Sequence, residues 1–177
     1  MRDLKKQSFN EWLIIRCQQG EKAAFTELIK NWEQRYYLYA LNRLQDKEAA
    51  KDITQECLIS ISRGLVKLTD PAAFPKWSFR ILERRCIDWL RKTIREREVI
   101  QRQEQLPEIE VHDGIESKLS VEQLLAKMDP RLATILRLYY LEDLTIDEIA
   151  DINDVPSGTI KSRLFYARKL MITMLEK

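Results

Sequence analysis

Residues 144–169 read LTIDEIADINDVPSGTIKSRLFYARK, and their reading decides the fold. Thr145 and Glu148 stand in the T-x-x-E spacing of a capping box. Ile146, Ile149, Ala150 and Asn153 then fall on one helical face. The helix is expected to stop at Asn153 and Asp154, two residue types that accept a left-handed backbone better than most. A second helix is expected to begin at Pro156 and Ser157, where the serine oxygen can accept a bond from an orphan backbone N–H. In that helix Ile160, Leu164, Ala167 and Met171 step by four, three and four, which turns one side inward. Lys161, Arg163, Arg168 and Lys169 fall off that side and point outward. Two short helices joined by a tight turn, the second of them basic, make a helix-turn-helix, in which the second helix enters a major groove. Asp154 stands where a glycine usually makes the turn.

The rest of the chain fits an all-α protein. It has 177 residues, enough for one or two small domains, with 45% hydrophobic and 33% charged residues. Four glycines and five prolines favour helices, and β-branched alternation is nearly absent. The formal net charge is only +2, so a nucleic-acid surface must be local. No apolar run approaches the roughly eighteen residues of a membrane span. The start, MRDLKKQSFNEW, lacks the apolar core of a signal peptide. These features predict a cytoplasmic protein with no direct membrane insertion. Cys17, Cys57 and Cys86 are far apart in sequence and lie beside apolar residues, so they read as reduced core thiols. The one histidine, His112, has no partners at metal-ligand spacing, and there is no Gly-rich phosphate loop. Catalytic residues, metals and cofactors are therefore not expected.

Upstream the pattern is helix after helix. Residues 9–44 carry apolar stripes through Leu13, Cys17, Phe25, Leu28, Ile29, Trp32, Tyr36, Tyr39 and Ala40, broken in two at Gly20. A third helix is predicted over 47–67. After the turn signalled by Asp70 and Pro71, a fourth spans 74–95. Periodicity then fails in QEQLPEIEVHDGIESK (103–118), where five acids face one lysine; this predicts a linker. A second helical unit runs from 119 to the end.

Two stretches of the first unit carry more than packing. On the third helix Asp52, Gln55, Glu56 and Ile59 share one face, while Ile53, Cys57, Ile61 and Leu65 form the buried side. A polar, acidic stripe ending in an apolar residue suits a partner helix. The fourth helix, in FPKWSFRILERRCIDWLRKTIRERE, interleaves Arg80, Arg84, Arg85, Arg91, Lys92, Arg95 and Arg97 with Trp77, Phe79 and Trp89. Guanidinium groups neutralise phosphates and aromatic rings stack on unpaired bases, a pairing that suits single-stranded DNA.

Together these segments resemble an extracytoplasmic function (ECF) sigma factor over nearly the whole chain. DITQE (52–56) is similar to the family's D-[LIV]-x-Q-E helix. FPKWSFRILERRCIDWLRK is similar to its F-x-x-W-[LF]-[YF]-x-I-A-x-N segment, with Arg84 in place of the asparagine. Residues 144–169 are similar to its L-S-x-x-E-I-A…V-P-x-G-T-V-K-S-R-L-x-R-A-R motif, and Asp129-Pro130 replaces the Leu-Pro ahead of that domain. The resemblance implies a bacterial initiation factor without enzymatic chemistry of its own. It implies two helical domains, 1–95 and 119–177, joined by an acidic linker over 96–118 that lies in the RNA exit path. Asp52, Gln55 and Glu56 would contact core RNA polymerase, whose β′ and β subunits are the implied partners. Trp77, Arg80, Arg84, Arg85 and Asp88 would hold the melted −10 strand. Ser157, Thr159, Lys161, Ser162, Arg163, Phe165, Tyr166 and Arg168 would read the −35 element. Promoter DNA and an anti-sigma factor complete the implied partners. A helix-turn-helix regulator acting alone on duplex DNA would leave the Asp52 stripe and the Trp77–Arg97 stretch without purpose. An RNA-binding protein would lack any RNA motif here.

Overall fold

The computed structural model describes residues 4–101 and 120–175, and among these there are eight α-helices and no strand. The acidic stretch 103–118, with His112, lies outside the described residues. The first unit holds α1 (Leu4–Gln18), α2 (Lys22–Leu44), α3 (Lys47–Gly64) and α4 (Phe74–Gln101). Gly20 separates α1 from α2 at φ +86°, a backbone angle that glycine takes at no steric cost. Gln45 ends α2 in the left-handed region, and Asp46 at once caps α3 by accepting from the Ala49 N–H at 2.9 Å. So short a connection makes α2 and α3 packed neighbours. The α3 face expected to be buried, Ile53, Cys57, Ile61 and Leu65, is buried. The last of these belongs to a 3-10 turn (Leu65–Lys67), not to α3. Gln18 at the end of α1 donates to both Leu65 O and Leu68 O, at 2.9 and 2.7 Å, and pins α1 to that turn.

Helix α4 runs six residues past its expected end at 95. The sequence REREVIQ contains no breaker, and Glu, Arg and Gln are good helix formers, so nothing stops the helix there. Its inner side carries the core. Phe79 meets Tyr36 edge-on at 5.4 Å and lies against Tyr39 at 5.4 Å, and Phe74 meets Trp32 edge-on at 5.1 Å. Burying each such ring contributes roughly 1.5–3 kcal/mol. One charge goes in with them. Glu83 is 2% exposed; it accepts from Tyr39 Oη at 2.9 Å and from Arg43 Nε and Nη2 at 3.1 Å. The carboxylate is thus fully partnered and ties α2 to α4. All three cysteines are free thiols, with Cys57 and Cys86 buried. Burial pushes the Cys57 thiol up to about 12, and raises Cys86 as well.

The second unit holds α5 (Val121–Ala126), α6 (Pro130–Tyr140), α7 (Ile146–Asn153) and α8 (Ser157–Leu175). Ser120 and Gln123 form a capping box on α5. Asp129 caps α6 ahead of Pro130, accepting from the Arg131 N–H at 2.8 Å. Six consecutive residues of α6, Ala133 to Leu138, are buried. A helix enclosed on all sides has neighbours on all sides. Here α5, α7 and α8 cover one part of it and α2 of the first unit covers the rest. Helix α7 packs in turn against α4. The two units share one continuous core from Leu13 to Ala167. Ion pairs cross the seam, among them Arg35 Nη2 to Glu142 Oε2 at 2.8 Å and Lys76 Nζ to Asp151 Oδ2.

Candidate nucleic-acid interface

The helix-turn-helix forms as its residues require. Thr145 and Glu148 make the reciprocal capping box, with Thr145 N donating to Glu148 Oε2 at 2.8 Å and Glu148 N to Thr145 Oγ1 at 3.2 Å. Asp154 takes the left-handed turn at φ 54°, ψ 48°, and the Val155 N–H closes on Ala150 O at 3.1 Å. Ile149 and Ala150 are buried, as is Ile152, which the expected face omitted. Ile160, Leu164 and Ala167 are buried and Met171 packs on the core.

Ser157 departs from its expected capping role. Its hydroxyl donates to Asp147 Oδ1 at 2.6 Å and ties the start of α8 to α7. A charged acceptor one helix away makes a stronger bond than a neutral capping contact. Lys161 is exposed; Thr159 and Arg163 are half-buried. The exposed Ser162 hydroxyl donates back to Gly158 O and Thr159 O. Phe165 and Tyr166 are 72% and 58% exposed, which for aromatic side chains marks a binding surface more than a core. Arg168 lies over the rings of Tyr139 and Tyr140, 5.3 and 5.6 Å from their centroids, so its stem is positioned before any ligand arrives.

On α4, Trp77, Arg80, Arg84 and Asp88 recur at steps of three and four along one side, and Arg91 continues the row. Arg80, Arg84 and Asp88 are exposed. The aromatics are less available than the sequence suggested. Phe79 is fully buried, and Trp89 is half-buried against the core. Trp77 is half-buried too, tilted on Phe74 at 5.9 Å. Its ring lies across Gly64: a Cβ there would come within 2.9 Å of Trp77 Cζ2. Gly64 is a positioning residue that sequence reasoning missed, its only signal being a glycine at the end of a helix.

The acidic stripe of α3 lies on the surface as expected, with Asp52, Gln55 and Glu56 exposed and Ile59 half-exposed. It touches α4 beside that row. Arg85 donates to Glu56 Oε2 and to Ser60 Oγ, both at 2.5 Å. The structure therefore joins two groups of residues that the sequence separates by function.

Comparison with known proteins agrees with this geometry. Residues 28–96 match Sigma-70 region 2, and residues 118–171 match Sigma-70, region 4. RNA polymerase sigma factor SigV of Bacillus subtilis is 27% identical over 172 residues, which span 92% of this chain and 98% of that one. The ECF RNA polymerase sigma-E factor of Haemophilus influenzae is 25% identical, over 95% of this chain and 96% of that one. The sigma factor RpoE from Bartonella quintana, solved in complex with the anti-sigma factor NepR, shares the fold. Its TM-score is 0.65 over 86% of this chain and 96% of that one, at 20% identity. Both sigma regions, in order and over most of the chain, show that this protein belongs to the ECF family of RNA polymerase sigma factors.

Proposed function

We propose that the protein recruits core RNA polymerase through Asp52, Gln55 and Glu56 and directs it to promoters through two separate DNA faces. Residues 1–95 act as domain two, which docks on the β′ subunit and holds the melted −10 strand along Trp77, Arg80, Arg84, Arg85 and Asp88. Residues 119–177 act as domain four, which reads the −35 element through α8, from Ser157 and Thr159 to Arg168. Residues 96–118 join the two in the RNA exit path. The protein works in the cytoplasm beside the polymerase and performs no covalent chemistry. No helix among the described residues is long and apolar enough to cross a membrane. Its activity is held in check by an anti-sigma factor, as the complex of the Bartonella quintana relative suggests.

The observation that carries this reading is the pairing of faces on α3 and α4. An exposed acidic stripe with an exposed Ile59 sits directly beside a basic helix, bridged by Glu56 and Arg85. A regulator that binds duplex DNA alone has no use for a carboxylate stripe next to its DNA surface, where it would repel phosphate. The test is a pull-down with core polymerase followed by run-off transcription on genomic fragments. Specific transcripts that require the protein support the reading. Duplex binding without polymerase capture would replace it with the stand-alone regulator.

A further inference from the structure

Helix α1 buries one side and leaves an ordered apolar ridge on the other. Leu13 and Ile14 are buried, whereas Phe9, Trp12 and Ile15, at steps of three, stand 46%, 47% and 44% exposed. Trp12 is held from both ends. Phe9 stacks against it with ring centroids 5.8 Å apart, and the Arg16 guanidinium lies 4.7 Å from its centroid. Glu21 fixes that guanidinium in turn, accepting from Arg16 Nε at 2.7 Å. Scattered exposed apolar residues are ordinary, but a contiguous row ordered in advance marks a contact surface. Trp and Arg are also the residues that anchor protein interfaces, and a side chain already in place loses less freedom on binding. A nucleic acid is the poorer occupant. A base needs an open ring face to stack on, and Phe9 and Arg16 take both flanks of Trp12.

The ridge adjoins the α3 stripe. The face of Asp52, Gln55, Glu56 and Ile59 continues at helical spacing to Val66 in the following 3-10 turn, and Ile59 and Val66 are 50% and 70% exposed. The Gln18 side chain of α1 donates to Leu65 O and Leu68 O, on either side of Val66. The end of α1 is therefore fastened to the end of the stripe, and Ile15 lies one turn before the fastening residue. We propose that the Phe9–Trp12–Ile15 ridge is a second docking surface for core RNA polymerase, which continues the α3 stripe through Ile59 and Val66 and seats an apolar face of the same partner. This rests on the assignment of the α3 stripe to polymerase. The acids of the stripe steer association, and the aromatic stack slows dissociation.

Hydroxyl-radical footprinting of the full chain, free and bound to core polymerase, reads the ridge without any substitution. Oxidation of Phe9 and Trp12 is expected to fall at least about fivefold in the complex, with Ile59 protected alongside. Titration of core polymerase with Trp12→Ala is expected to show at least about tenfold weaker binding, and Trp12→Phe should recover most of it. The footprint stands whether or not the alanine variant folds. Protection of Ile59 without Phe9 and Trp12, or unchanged affinity of Trp12→Ala, overturns the ridge and leaves the stripe. Protection of Phe9 and Trp12 without Ile59 overturns the stripe, and the proposed continuation with it. Protection of none of the three overturns both. Protection that rises with the concentration of the free chain alone assigns the ridge to a second copy and likewise overturns the proposal.

Discussion

Helices α4 and α8 carry much the same cationic side chains and present them in opposite conditions. On α4 several cations face carboxylates, Lys76 with Asp151, Arg85 with Glu56, Arg91 with Asp88 and Lys92 with Glu96, while the exposed Arg80 and Arg84 do not. On α8, Lys161, Arg163 and Lys169 form no ion pair with any described residue, and two aromatic rings stand in solvent beside them. The α8 face can meet a phosphate backbone as it is. The α4 face must exchange carboxylates for phosphates at Lys76, Arg85 and Arg91. Counterion release follows the same division, because a cation neutralised by a neighbouring carboxylate has fewer condensed ions to shed on binding.

The largest effect that can sharpen this comparison lies beneath α4. Glu83→Ala leaves Arg43 and Tyr39 without their shared acceptor and is expected to cost about 3–5 kcal/mol of domain-two stability. Urea denaturation followed by tryptophan fluorescence measures it. A loss under about 1 kcal/mol means that water reaches the site and that the α4 track is less firmly founded than its packing suggests. Next comes Glu56→Arg, which reverses the charge on the stripe that borders α4. Affinity for core polymerase is expected to fall by about 2–5 kcal/mol if the contact is desolvated. Stability should barely move, since the Glu56–Arg85 pair is exposed. Titration with core enzyme decides, and an unchanged affinity removes the stripe from the docking surface.

Smaller effects separate the two DNA faces themselves. Arg84→Ala should lower permanganate reactivity of −10 thymines while duplex capture persists, and Arg163→Ala should flatten preference at one −35 base pair by about 1–3 kcal/mol. The reverse pattern would exchange the roles assigned to α4 and α8. Smallest is Lys169→Ala, which should weaken all sequences alike and reduce the salt slope by about 1. Binding to a −35 variant library at two salt concentrations reads both α8 substitutions.

What the chain declares about itself declines with distance along it. The T-x-x-E box, the left-handed Asp154, the break at Gly20 and the inward steps of α3 and α8 are written within a turn or two of helix, and each forms as read. Glu83 stands in a run of charged residues and looks exposed. Its burial depends on Tyr39 and Arg43, some forty residues earlier. Trp77 looks like a free platform in isolation, but Gly64 and Phe74 take much of its ring. The Lys76–Asp151 contact joins residues seventy-five apart and belongs to no local pattern. The same holds for α6: Thr134 and Arg137 interrupt its apolar residues in the sequence, yet both are buried, because α2 covers the outer side.

The placement of the cysteines supplies an internal clock for one half of the molecule. All three lie before residue 101, and domain four has none. A thiol held near 12 hardly ionises at neutral pH, and the enclosed sulfurs of Cys57 and Cys86 meet an alkylating reagent only when the helices around them part. Iodoacetamide should therefore modify the half-buried Cys17 first. Cys57 and Cys86 should follow together, at a rate set by the opening of α3 from α4. Their labelling records the breathing of domain two, and the packing of α6 on α2 and of α7 on α4 should slow it.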